Sequence, residues 1–196
     1  MNFVNPVVQF MLRFVLYHIR FQNWDASSNF LVELKKRANI WGVWRGVFGL
    51  SSRDCIVICP ERDSDQSFVA PDGTEVIKSV NLSSTARPQS SAPPTQSGLY
   101  VFRTFEIDRE NIEAAVDLST RGWLYFEDQP DFAAQPIALF EVALKTSSCL
   151  LLITWYRDFR SWERSREPDP EATKNFVARQ KLTHSTLAIA TRLWEE

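Results

Sequence analysis

No uninterrupted apolar run of about 18 residues occurs in this chain, the length a membrane-spanning helix needs. Its most apolar stretch, MNFVNPVVQFMLRFVLYHI at the start, is broken by Pro6 and Arg13. That stretch has no basic region ahead of its apolar part and no small-residue cleavage site after it, so it reads as a leading segment running into a strand. Cysteine is scarce: Cys55, Cys59 and Cys149 form an odd set with no Cys/His cluster beside them. That argues against zinc and against a disulfide framework, and for reduced, buried thiols, Cys55 and Cys59 on one face of a strand. There is no Gly-rich phosphate loop and no G-x-S-x-G elbow. An excess of one charge is missing too: 22 Lys and Arg against 24 Asp and Glu give a net charge of −2. With the basic residues scattered, no nucleic-acid footprint is visible. These absences predict a cytoplasmic protein with no nucleic-acid partner, no membrane partner and no resident cofactor.

Aromatic residues, in contrast, are plentiful, with seven Trp and fourteen Phe. Two readings fit: large cores on a small scaffold, or a pocket with aromatic walls.

Hydrophobic periodicity organises the chain. Residues 12–22 (LRFVLYHIRFQ) alternate as a strand, with Leu12, Phe14, Leu16, His18 and Arg20 on one face and Arg13, Val15, Tyr17, Ile19 and Phe21 on the other. Both sets are largely apolar, so the strand is expected to be covered on both sides. A helix to about Ala38 follows, capped by Asp25 or Ser27. Strands are expected over 40–48 and CIVIC, then over 74–85. Gly42 and Gly46 in the first of these point to a bulge or to something packed against the backbone. ARPQSSAPPTQSG (86–98) has almost nothing to bury and reads as a linker.

The second part replays this order. LYVFRTFEI (99–107) reads as a strand, Asp108 as the cap of a helix over about 109–121, and RGWLYFEDQPDFAAQP as an insertion. IALFEVAL and SCLLLITWY pair around Lys145–Ser147, two helical stretches follow, and Asp169-Pro170 opens the second of them. The end, 183–194, suits strand or helix, and strand is preferred because it completes the repeat. Each half thus approximates β-α-β-β-(α)-β, with the second helix of the first half eroded. The expected fold class is α+β: two tandem ferredoxin-like halves, each a four-stranded antiparallel sheet with helices on one face, packed as an intrachain pseudo-dimer barrel. The boundaries are 1–85 for the first half, 86–98 for the linker and 99–196 for the second half.

The run Tyr100-Val101-Phe102-Arg103-Thr104-Phe105, the stretch Trp155-Tyr156-Arg157-Asp158-Phe159 with Trp162-Glu163, and Ala190-Thr191-Arg192-Leu193 resemble the dimeric α/β-barrel superfamily, NIPSNAP-type proteins most of all. The resemblance spans most of 12–58 and 99–194. It rests on strand openings and packing positions and includes no catalytic signature. It implies a fold shared by cofactor-independent oxygenases, lactone isomerases, polyketide cyclases, haem-handling enzymes and members of unknown role, and so it leaves activity open.

Charged groups inside apolar strands are the candidate site residues, because a buried charge needs a partner or a wet cavity. A loose overlay of the halves places His18 where Arg103 stands. His18 would act as base or ligand, and Arg103 as anchor for a carboxylate or enolate. Glu141 and Arg45 occupy comparable strands and could pair across the halves. Trp41, Trp44 and Phe140 are the expected walls. His18, His184 and Glu141 form an iron-type donor set in composition only, and His18 could also face haem. Two functions follow. One is a pocket protein for an apolar or aromatic anionic metabolite, acting as an isomerase, cyclase or cofactor-free monooxygenase. The other is a non-catalytic binding or scaffolding module. A monomer would suffice for a duplicated chain, and edge strands could also pair two chains into a homodimer.

Overall fold

The computed structural model describes residues 11–61, 68–129, 132–143, 148–167 and 169–195. The leading segment 1–10 and the turn at 145–147 lie outside the described residues. The strands are β1 (Arg13–Phe21), β2 (Gly42–Phe48), β3 (Asp54–Pro60), β4 (Thr74–Arg87), β5 (Leu99–Ile107), β6 (Ala134–Ala143), β7 (Ser148–Tyr156) and β8 (Thr183–Leu193). The helices are α1 (Phe30–Arg37), α2 (Ile112–Glu127), α3 (Phe159–Arg164) and α4 (Pro170–Gln180).

Local chemistry sets several boundaries. The Asp158 carboxylate accepts from the Ser161 N–H at the start of α3, and Asp169 accepts from Glu171 N–H with Pro170 in the first turn of α4. Asp25 and Ser27, expected as caps, instead form a 3-10 turn, and α1 starts after Asn29. Helix α2 also begins later and runs further than the sequence suggests. RGWLYFE, expected within an insertion, is its last two turns, and it buries Trp123 and Phe126. The ambiguous end of the chain is a strand, β8.

All strands are antiparallel, and they close into a barrel in the order β1-β3-β2-β8-β5-β7-β6-β4. The first four strands lie in the order β4-β1-β3-β2 and the last four in the order β8-β5-β7-β6. This is the same arrangement twice, with seams at β2–β8 and β4–β6. Among the described residues no helix stands between β3 and β4. Closure removes most of the free edge through which a second chain could pair. Among the described residues, β6 meets β4 only over Leu82–Arg87 and β2 meets β8 only over Ala190–Leu193, which leaves two overhangs with one neighbour each.

The inward face is solid. Phe14, Trp41, Trp44, Tyr100, Phe102 and Phe140 interlock there, with ring centroids 5.2–6.0 Å apart. Trp41, Trp44 and Phe140 are therefore core residues and not pocket walls. Gly42 is explained by the same packing: a Cβ there would strike the Trp44 indole, which folds back across it. At Gly46 a Cβ would come within 2.8 Å of Leu50 Cβ, and the β2–β8 register shifts beside it.

The 86–98 stretch is more than a spacer. Trp41 Nε1 donates to Ala92 O at 2.9 Å, Tyr100 OH to Gln96 O at 2.5 Å and Trp155 Nε1 to Ser97 O at 3.0 Å. The stretch therefore lies across one end of the barrel, with its carbonyls satisfied by inward-facing aromatics. On the outward face of the first half, Phe21, Phe30, Leu34 and Trp194 pack α1 against β1–β3. Cys55 and Cys59 are buried in that layer, on one face as expected, and burial pushes the Cys55 thiol pKa up. Cys149 is half-buried against the barrel core.

Candidate anion site

The outward face of the second half is only partly filled. β5 alternates Tyr100 and Phe102 inward with Val101, Arg103 and Phe105 outward, and its partner β7 sends Leu152, Thr154 and Tyr156 the same way. Helices α2 and α4 cover these residues. The helices approach closely at Gly122, where a Cβ would strike the Phe176 ring. Between sheet and helices lies a cavity of about 600 Å³, with Phe105, Trp123, Phe126 and Phe176 as aromatic walls and Arg166 and Glu167 on its border. That volume is in the range of small-molecule sites.

Two guanidiniums line this cavity beside its aromatic walls. Arg179, on α4, is 9% exposed. Its Nη1 donates to Ser119 Oγ at 3.0 Å, and that hydroxyl donates on to Ala115 O at 2.6 Å. Its guanidinium lies over Phe105 and Phe176, 4.7 and 5.1 Å from the ring centroids, while its Nε is buried without a hydrogen-bond partner. Burial, and then the neighbouring Arg103 cation, push the Arg179 pKa down to about 10. Arg103 is likewise lowered, first by burial and further by Arg166, against the opposing effect of Tyr156. Among the described residues no carboxylate pairs with either group. Burial raises the Tyr156 pKa, so its phenol stays protonated. A desolvated cation costs free energy until an anion or several acceptors reach it. Two such cations, an unused N–H and a phenol beside aromatic rings are the chemistry that an anion with an apolar body would need.

The other expected site residues lie elsewhere. His18 is inward-facing on β1, whereas Arg103 is outward-facing on β5, so the two do not occupy equivalent pockets. His18 Nε2 lies 2.8 Å from Asp54 Oδ2, and Arg20 grips the same carboxylate through Nε and Nη2 at 2.8 and 3.0 Å. Asp54 is 3% exposed, so its pairing is structural in effect. Asp54→Asn is expected to cost about 1–3 kcal/mol, seen as a lower urea midpoint. Hydrogen bonding from Arg20, reinforced by His18, holds the Asp54 carboxyl below its ordinary value of 3.8 despite burial. A carboxyl depressed in the fold adds stability above the unfolded pKa and loses it as pH falls through the folded one. The wild-type midpoint should therefore hold to about pH 5 and drop below about pH 4, with part of that drop missing in the variant.

Arg45 stacks on Trp194 at 4.3 Å to the ring centroid, in a groove shared with Arg157 and Arg192 at the β2–β8 seam. Glu141 borders a groove with Arg109 and Ile112 at the β4–β6 seam. The two seams lie on opposite sides of the barrel, so the expected Arg45–Glu141 pair does not form. His184 meets Asp108 at 3.0 Å on the surface. Neither histidine lines the cavity, which therefore offers no imidazole to a haem or iron. Arg179 is the functional candidate that sequence reasoning missed. In VARQKL it reads as one more basic residue of a helix end, and only its spacing from Phe176 on the same helical face hints at burial.

No family model matches the chain, and no curated protein matches it in sequence. Solved structures do. A ferredoxin-fold protein related to antibiotic biosynthesis monooxygenases, from Listeria monocytogenes, superposes with a TM-score of 0.55 at 11% identity, covering 98% of this chain and 100% of its own. An anthrone oxidase-like protein gives 0.59 at 13% identity, covering 94% and 92%. A monooxygenase-like protein from Listeria innocua gives 0.54 at 11% identity, covering 95% of each. At such identities the likeness shows the fold alone: this chain has the ferredoxin-like α+β barrel fold of monooxygenase-like proteins.

Proposed function

We propose that this chain is a small-molecule pocket protein of the dimeric α/β-barrel class. In this reading it is a tandem-duplicated, NIPSNAP-like member whose halves, 1–85 and 99–196, form an intrachain pseudo-dimer. Its ligand is an apolar or aromatic anionic metabolite held in the cavity under α2 and α4. The observation that carries this is the pair of guanidiniums, Arg103 and Arg179, desolvated beside Phe105, Phe176 and Trp123 without a carboxylate among the described residues. The repeated strand order supports the duplication.

The same donors suit catalysis. An enolate or phenolate oxygen formed in the cavity would be stabilised by both cations and by the Tyr156 hydroxyl. That is what a cofactor-independent isomerase, cyclase or monooxygenase requires, and the names of the structural neighbours favour it. His18, in the Asp54 cluster, is outside this site and is not its base. Calorimetric titration with naphthoate, an aromatic carboxylate, tests the pocket. The wild-type protein should bind it, and Arg103→Met should weaken binding by about tenfold or more, the worth of a hydrogen bond to a charged group. Its melting temperature should hold or rise, since Arg103 gives up no ion pair and its desolvation is relieved. Equal binding by the variant would remove Arg103 from the site.

A further inference from the structure

The charge balance of the cavity narrows the ligand further, given the pocket just proposed. The titratable groups lining it are Arg103, Arg166, Arg179, Glu167 and Tyr156. Arg166 and Glu167, both exposed at the border, offset each other. Arg103 and Arg179 remain, one on the sheet and one on the opposing helix. Tyr156 stays neutral because burial raises its pKa, so the lining carries a net charge of +2. A monoanion would satisfy one guanidinium and leave the other, half-buried Arg103 or buried Arg179, without a counter-charge, which is costly for a desolvated cation.

We propose that the natural ligand is an aromatic dianion, with two acidic oxygen groups on one ring system. One group would sit on Arg103 and Tyr156, the other on Arg179. Three features of the cavity agree. Both cations line the one cavity, and the Arg103 field lowers the Arg179 pKa. Arg179 is held by Ser119 through Nη1 alone, which leaves its buried Nε–H for an incoming acceptor. The Phe105, Phe126 and Trp123 rings give a fused or substituted ring an apolar berth.

Calorimetric titrations with naphthoate, with naphthalene dicarboxylate bearing adjacent carboxylates, and with inorganic phosphate test this. The dicarboxylate is expected to bind the wild-type protein at least tenfold more tightly than naphthoate, with phosphate weaker than the dicarboxylate. Arg179→Met should bring the two aromatic ligands to within about twofold of one another, and Arg179→Lys, which keeps the charge but not the fork, should fall between. Equal affinities for naphthoate and the dicarboxylate in the wild-type protein would overturn the dianion while leaving the pocket standing. Phosphate binding tighter than the dicarboxylate would overturn the aromatic requirement. If none of the three binds, the pocket reading itself falls.

Discussion

Trp44→Ala is expected to cost about 3–5 kcal/mol of folding free energy, the range for deleting a fully packed aromatic side chain. In a chain of this size that corresponds to a fall of roughly 6–20 °C in melting temperature. The indole has no exposed surface, and its ring lies 5.2 Å from Phe102, 5.7 Å from Trp41 and 5.9 Å from Tyr100. These neighbours come from β5 and from the approach to β2, so little can collapse into the space without moving strands on either side of the β2–β8 seam. A second substitution makes the test specific. Gly42→Ala should destabilise the wild-type protein, because its new methyl meets the indole, and should be nearly harmless in the Trp44→Ala background. The two effects should couple by about 0.5–3 kcal/mol, as contacting residues do. Additive effects would mean that Trp44 does not lie over Gly42.

The second large effect has the opposite sign. Arg179→Met is expected to raise stability by about 1–4 kcal/mol in the absence of ligand, because an apolar side chain of similar length replaces a buried cation. The cation has little to lose. Its one hydrogen bond goes to Ser119, whose own donation to Ala115 O survives, and Arg103 repels it. Methionine would keep the contact with Phe105 and Phe176. The same variant should bind aromatic anions less well, so a thermal melt and a titration of one protein should move in opposite directions. A marked fall in melting temperature would show that Arg179 is retained for the fold and not for a ligand.

Strands were legible in the sequence because alternation survives wherever a sheet separates two apolar layers. Both faces of LRFVLYHIRF are apolar because one meets the barrel interior and the other meets α1. Side-chain direction was harder to read. Overlaying His18 on Arg103 is off by one residue, and in a strand one residue changes the face. A bulge opposite His18 and Ile19 on β4 disturbs the count further. Trp41, Trp44 and Phe140 read equally well as pocket walls or as core, since composition cannot tell the inside of a closed barrel from a lined cavity. The last two turns of α2 read as an insertion in sequence, whereas Gly122 within them lets Phe176 approach the helix. Arg179 was invisible for a related reason: its burial depends on where α4 docks, which no local pattern specifies.

The stretch that crosses the barrel end also acts on assembly. Each seam between the halves has four paired positions, against nine in β1–β4, β5–β7, β5–β8 and β6–β7. As separate polypeptides at micromolar concentration, two such partners would have to bind about a thousandfold more tightly than partners joined by a short tether, whose effective concentration is on the order of millimolar. Joining the halves turns a bimolecular encounter into an intramolecular one. Within one chain the strands β1–β4 and β5–β8 need not carry the same helices, so α2, α4 and the two arginines beneath them stand over β5–β8 alone.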